Sequence, residues 1–449
     1  MRLAIAVFLT VSLVSALLSS CSKKTPTLNA PVPTADFTYN ALTPTSDTTP
    51  QNLELINTSQ NAMAVTWIIP GVGTFTGDTI RTTISRAGTY TVKMVAAGPG
   101  GLSDTLSKTV TIAQDNPYAV KAGFTYKLLT PSEATPQNLE LINTSQYKMP
   151  GKSTWTIPGL GTYTGDTVEV TVTFAGTYNV QLNAAGYGGM TDTLTQTVTI
   201  NEDNPYAVSP STLLGVLSGA GLGLTQRTWI ANRVINACVV APGPGSNGDG
   251  FNTALSDIDG GITTNWWGYG SGDIATNGSG RDGYLDDQYT FTFDKVGKFI
   301  YNDNNTVYLD GGGSTWTKAL PAPWNASSTS GTFNSTTPGS YSTTAIYSLV
   351  SALKPWGSGN FTYTVAAAPA GAMQLGQITV NGVGAHFGLQ DKTNTGELAT
   401  PTESSITYDV LRISTNLTDA SGQAYDEIII GLTYDANGDV WVFRFRSNR

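Results

Sequence analysis

Thr49-Pro50-Gln51-Asn52-Leu53-Glu54-Leu55-Ile56-Asn57-Thr58-Ser59-Gln60 returns letter for letter as the segment from Thr135 to Gln146. The copying extends outward in both directions. Ala35-Asp36-Phe37-Thr38-Tyr39 matches Ala122-Gly123-Phe124-Thr125-Tyr126, Trp67 matches Trp155, and Ala87-Gly88-Thr89-Tyr90 matches Ala175-Gly176-Thr177-Tyr178. Both copies close on Asp-Asn-Pro-Tyr-Ala-Val, at 115–120 and 203–208. A period of about 87 residues is far above solenoid repeat lengths, so each copy is a self-contained domain. Within a copy, Leu53-Glu54-Leu55-Ile56-Asn57 and Tyr90-Thr91-Val92-Lys93-Met94-Val95 alternate, and Gly98-Pro99-Gly100-Gly101 breaks the pattern. Short alternating strands between Gly/Pro turns predict β-sandwiches. Trp67 and Trp155 are expected to pack between the sheets.

Composition carries an all-β reading across the chain. Charged residues are only 12%, while Thr, Ser, Gly and Asn are abundant and Val and Tyr are frequent. A net charge of −9 argues against nucleic acid as a partner, because a phosphate backbone needs a basic face.

At the N-terminus, Met1 and Arg2 precede an apolar run from Leu3 to Leu18 that is too short for a spanning helix and reads as a secretory signal. Leu18-Ser19-Ser20-Cys21 resembles the lipobox of bacterial lipoproteins, which implies a signal peptide over 1–20 and acyl chains on Cys21. The alternative is an ordinary signal with an incidental cysteine. Residues 21–34 are polar and Pro-rich and form a tether to the membrane. With Cys21 lipidated, Cys238 is left alone in Val234-Ile235-Asn236-Ala237-Cys238-Val239-Val240, where it reads as a buried strand residue.

The duplicated units, over 35–120 and 121–208, resemble PKD-type Ig-like domains. The likeness rests on the Phe-containing first strand, the Asn-Thr-Ser strand end, the central Trp strand and Ala-Gly-Thr-Tyr-x-Val. The usual Trp-x-Phe-Gly-Asp-Gly turn of that family is replaced by Trp67-Ile68-Ile69-Pro70-Gly71 and Trp155-Thr156-Ile157-Pro158-Gly159. The resemblance implies spacers.

Residues 209–449 differ in character and hold seven of the nine tryptophans. Period-two segments such as Gln288–Phe293, Tyr408–Ile413, Glu427–Leu432 and Val440–Phe445 predict one large jelly-roll-like β-sandwich, with one helical turn near Ser342–Leu353. The fold class is therefore all-β, two tandem Ig-like sandwiches followed by a larger one.

Catalysis finds little support in this region. Its three glutamates, Glu397, Glu403 and Glu427, do not form the paired-carboxylate spacing of sugar hydrolases, and Asp286-Asp287 would face opposite ways on a strand. The single histidine, His386, has no nucleophile motif around it. No Gly-x-Ser-x-Gly or His-Glu-x-x-His occurs. Binding is better supported. Thr263-Thr264-Asn265-Trp266-Trp267-Gly268-Tyr269-Gly270-Ser271-Gly272-Asp273 places aromatic platforms among hydrogen-bonding side chains on a glycine-rich loop. Trp316, Trp324 and Trp356 lie on further loops. Exposing such rings forfeits burial worth about 1.5–3 kcal/mol each, so their placement needs a reason. The alternative is that they cap the end of the sandwich. No metal is called for, although Asp257-Ile258-Asp259 and Asp282 with Asp286-Asp287 are weak candidates for a structural calcium.

The whole layout resembles the surface glycan-binding lipoproteins of starch-utilisation-type polysaccharide uptake systems, particularly those for β-1,3-glucan (laminarin). It rests on the lipobox, the PKD-type spacers, Leu217-Ser218-Gly219, Arg227-Thr228-Trp229, Trp266-Trp267 and Asp286–Phe291. The resemblance implies an outer-membrane, outward-facing, non-catalytic protein partnered by a transporter and its lipoproteins. Trp266, Trp267, Tyr269, Trp324 and Trp356 would stack on sugars, and Asn265 and Asp273 would bind hydroxyls. Ser22-Lys23-Lys24 departs from the acidic residues that often follow the cysteine of exported members. A structural or adhesive surface protein, or an enzyme of unfamiliar type, are the other readings.

Overall fold

The computed structural model describes residues 30–260, 265–274, 282–309, 339–349, 351–368, 373–398 and 400–449. The signal segment, Cys21, most of the tether, Trp316 and Trp324 lie outside these residues.

In the first repeat, strands β1 (Phe37–Ala41), β2 (Leu53–Asn57), β3 (Ala64–Ile69), β4 (Gly73–Thr76), β5 (Thr79–Thr82), β6 (Gly88–Ala97) and β7 (Ser103–Ile112) form two antiparallel sheets, β1-β2-β5 and β4-β3-β6-β7. The second repeat builds the same pair from β8 (Phe124–Leu128), β9 (Leu139–Asn143), β10 (Thr154–Ile157), β11 (Gly161–Thr164), β12 (Thr167–Val170), β13 (Gly176–Ala185) and β14 (Thr191–Ile200). Trp67 and Trp155 are fully buried between the layers, edge-on to Phe37 (5.3 Å) and Phe124 (5.2 Å).

The repeated letters have mechanical roles. Asn52 holds both backbone groups of Ile84, and Asn138 does the same for Val172, with Nδ2 donating at 2.9 Å and Oδ1 accepting at 2.8 Å. In the closing motif, Asn116 and Asn204 donate to Pro50 O and Pro136 O, both at 2.7 Å. Each motif thereby ties the end of a domain back to the start of its own copied segment.

The third unit contains helices α1 (Leu213–Ser218), α2 (Phe251–Ile258), α3 (Ser271–Ile274), α4 (Asp282–Leu285) and α5 (Thr343–Leu349). Its strands are β15 (Gln226–Ala231), β16 (Cys238–Ala241), β17 (Trp267–Gly268), β18 (Gln288–Thr292), β19 (Lys298–Asn302), β20 (Thr306–Leu309) and β21 (Gly339–Ser342), followed by β22 (Gly359–Ala367), β23 (Gly376–Asn381), β24 (Lys392–Thr393), β25 (Gly396–Glu397), β26 (Ser405–Thr418), β27 (Ala424–Thr433) and β28 (Val440–Asn448). The main sheet runs β15-β18-β19-β22-β23-β26-β27-β28, and β15 also pairs with β28 through Ile230↔Arg446 and Ala231↔Phe445. Opposite walls face each other across a packed core, as the layers of a sandwich do. The connectivity is a meander closed on itself, rather than the Greek-key order of a jelly roll, because each of these strands pairs with the next one along the meander.

Aromatic rings fill the interior. Phe387 stacks on Phe445 at 4.2 Å, with Tyr289, Phe291, Phe299 and Tyr408 around them. Outside the wall, α2 packs Phe251, Ala254 and Ile258 against Val239, Ile429 and Val442. Cys238 is fully buried in β16.

The two ends of the barrel differ. At one end α1 closes the opening, with Trp229 Nε1 donating to Leu217 O at 2.9 Å. Phe174 of the second repeat stacks on Phe293 there, at 5.4 Å. The connections after β18, β22 and β26 also lie at this end. Those after β15, β19, β23 and β27 lie at the opposite rim, and they carry β16, α2, β17, β20, β21, α5 and the β24–β25 hairpin.

Beneath that rim sits a buried polar group. Tyr301 Oη donates to Asp287 Oδ2 at 2.9 Å, and the His386 ring lies 4.3 Å from that of Tyr301. His386 Nδ1 donates to Gly384 O at 2.8 Å, while its Nε2 meets no partner among the described residues. Burial pushes His386 down to about 4 and raises Asp287 well above the usual carboxylate range.

Two consequences are measurable. Asn138→Ala leaves both backbone groups of Val172 unpaired in the core and is expected to destabilise the second repeat by about 2–4 kcal/mol, read from its denaturant midpoint. For His386, the folded value lies below the unfolded one of about 6.5, so its contribution is complete above that pH and fades as pH falls toward 4. Asp287 acts with the opposite sign, so the comparison is made against His386→Gln. Wild type should lose roughly 3 kcal/mol more than this variant between pH 6.5 and pH 4. Parallel denaturation curves at both pH values would contradict a neutral, buried imidazole.

Candidate functional site

The rim opposite α1 carries Trp266 and Trp267. Strand β17 is held to β16 by Val240↔Trp267 and Val239↔Gly268, extended by Trp266 N to Val240 O (3.1 Å) and Tyr269 N to Cys238 O (3.0 Å). Neighbours on a strand face opposite ways, so the two indoles part. Trp267 turns inward and half-buries its ring, 5.3 Å from Tyr269 and 6.1 Å from Trp441. Trp266 turns outward and is 54% exposed. Asn265 is half-buried beside it, and Asp273 accepts from Gly270 N at 2.9 Å, which stiffens the loop behind β17.

Two residues expected on the binding surface are instead structural. Tyr269 is fully buried, because the β16–β17 pairing continues through it and places it on the same face as Trp267, against Tyr284 at 5.9 Å. Trp356 is 3% exposed. It ends a 3-10 turn, Ser351–Trp356, that presses on the Gly382–Ala385 turn. Gly384 has φ +90°, and a Cβ there would meet Pro355 O at 1.9 Å, so the two turns touch backbone to backbone. Trp324 lies outside the described residues. Of the seven expected ligands, Asn265 and Trp266 stand together at the surface, Trp267 packs against the core behind them instead of offering a second platform, and Asp273 braces the loop.

The acidic clusters weighed for calcium have other partners. Asp259 forms a two-pronged pair with Arg412 at 2.8 and 2.9 Å. Asp286 pairs with Arg233 at 2.5 Å, and Asp287 accepts from Tyr301. Among the described residues, no three His, Cys, Asp or Glu side chains converge on one point.

Residues that sequence reasoning passed over support the indoles from below. Lys392 Nζ lies 4.5 Å over the Trp441 ring and 2.8 Å from both Asp391 and Glu397. Burial alone would lower Lys392, but the two carboxylates outweigh it and hold the ammonium above its usual range. Tyr434 packs on the same indole at 6.4 Å. Trp441 Nε1 is buried with no acceptor among the described residues. The shared ammonium between Asp391 and Glu397 sets them as a charge clamp, which differs from a carboxylate pair open to a scissile bond. No signal short of the fold would have found this cluster, since Lys392 and Trp441 lie on different hairpins.

No family model matches the chain, and no curated protein does. Solved structures with some likeness include a carbohydrate-binding module from the β-sandwich superfamily, 17% identical, covering 38% of this chain and 86% of that one, with a TM-score of 0.17. A tetra-tandem repeat from the extending region of a large adhesion protein is 11% identical over 92% of this chain and 99% of that one, with a TM-score of 0.19. Extracellular cadherin domains 1–4 of protocadherin gamma B7 are 14% identical over 38% and 51%, at 0.12. At these scores the likeness carries no argument about the site.

Proposed function

We propose that this chain is a non-catalytic, lipid-anchored surface protein of the outer membrane that captures a neutral polysaccharide of the β-1,3-glucan type for uptake. The reading rests on one observation: the exposed Trp266 indole stands on the barrel rim farthest from the end where the repeats attach, backed by Trp267, Trp441 and Lys392. A flat apolar ring beside Asn265 suits a pyranose, which offers a C–H face for stacking and hydroxyls at its edge. The two sandwiches act as spacers that hold this rim away from the lipidated Cys21. A transporter and its lipoproteins would receive the captured chain. Single platforms bind weakly, so long glycans gain from several tethered copies on one cell.

Affinity electrophoresis of the unlipidated chain from Ser22, through gels with laminarin, mixed-linkage β-glucan, pustulan or starch, tests this. A β-glucan should retard the wild type, and Trp266→Ala should migrate freely. Unretarded wild type in every gel would reject the reading and bring an adhesive role forward.

A further inference from the structure

We infer that a second glycan subsite opens at the same rim and runs down the outer wall, in the polar cleft around the end of β15, between the start of β18 and the end of β28. The inference rests on the capture reading above and deepens it. The cleft encloses about 530 Å³, within the roughly 300–1,000 Å³ typical of small-molecule sites. Its floor is apolar, formed by Ile230, Ala231, Val234 and Leu285. Its walls carry the carboxamides of Gln288, Asn304 and Asn448, with that of Asn232 buried behind them on Glu427 at 2.8 Å.

The chemistry of those walls selects a ligand. A carboxamide both donates and accepts, as a sugar hydroxyl does. Two guanidiniums also line the cleft, but each has a carboxylate of its own. Arg233 pairs with Asp286 at 2.5 Å, and Arg446 pairs with Asp419 at 2.9 Å while also donating to Asn448 Oδ1 at 2.9 Å. The cleft therefore presents little net charge, and it suits a neutral polyol better than a uronate or a sulfated sugar.

Its position links it to Trp266. One turn serves both sites: Asn232–Val234 line the cleft, and Asn236 N donates to Tyr269 O at 2.8 Å behind the tryptophan strand. A glycan stacked on Trp266 can thus pass over this turn and seat another residue by its edge in the cleft. The subsite has no aromatic platform and would hold a sugar by hydrogen bonds at its edge.

The test uses the full chain, with laminarihexaose, maltohexaose and xylohexaose as neutral probes and trigalacturonate as the anionic one. Gln288→Ala/Asn448→Ala removes two exposed carboxamides from outward-facing strand positions. It should weaken the best neutral probe about tenfold by calorimetry, with an unchanged unfolding midpoint. The 15N side-chain signals of Gln288 and Asn448 should shift on titration, and should still shift in Trp266→Ala at higher concentration. If Trp266→Ala loses binding while the double variant and both carboxamide signals are unaffected, the subsite is rejected and the capture reading stands. If the carboxamide signals respond to a neutral probe while Trp266→Ala binds as wild type does, the subsite stands and the stacking site falls. Stronger shifts with trigalacturonate, or none with any probe, overturn the subsite as described.

Discussion

The pairing of Ile230 and Ala231 with Arg446 and Phe445 closes the eight-strand meander on itself, leaving only the short β16–β17 branch with an open edge, and everything on the rim depends on it. An open sheet of this length would present unpaired amides and carbonyls to any passing strand. Closure satisfies them internally and encloses a core rich in aromatic rings. It also divides β28 between two partners. Val440–Phe443 feed the short β16 branch, and Phe445–Arg446 feed the barrel. That branch is what lifts β17, and with it the tryptophan pair, onto the rim.

Much of the molecule was legible in its letters, for reasons that can be named. The copied segments mark residues with the same mechanical duty twice over, such as Asn52 with Asn138 and Trp67 with Trp155. Trp266 and Trp267 were read together as two platforms on a glycine-rich loop, whereas the short β17 pairing turns them to opposite faces and sends Trp267 toward the core. The same alternation held the answer for Tyr269, which shares a face with Trp267, but the surrounding glycines read as a free loop. Closure itself was invisible, since it joins residues at opposite ends of the unit. Trp356 was misplaced for a related reason: the turn that carries it packs through Pro355 on the Gly384 turn, and only the fold brings the two together.

The polar content of the barrel follows one rule. Charges near the core come as compensated sets, whether Lys392 between Asp391 and Glu397 or Arg227 against Asp426 at 2.6 Å. A buried ion survives only with partners at close range. At Asp287 and His386 burial acts in the other direction, pushing each toward its neutral form. The rim indoles are thus seated on a base whose electrostatics are already balanced.

The separation of the two barrel ends has a mechanical meaning. The domain is entered at the α1 end, and β15 runs from there directly to the opposite rim. A force applied between the rim and the α1 end runs along this strand. Its hydrogen bonds to β18 and β28 lie across that direction, so the load strains them together in shear. A sheet pulled from its edge would instead open like a zipper, one rung at a time. The geometry is one that meets such a load with all its rungs at once.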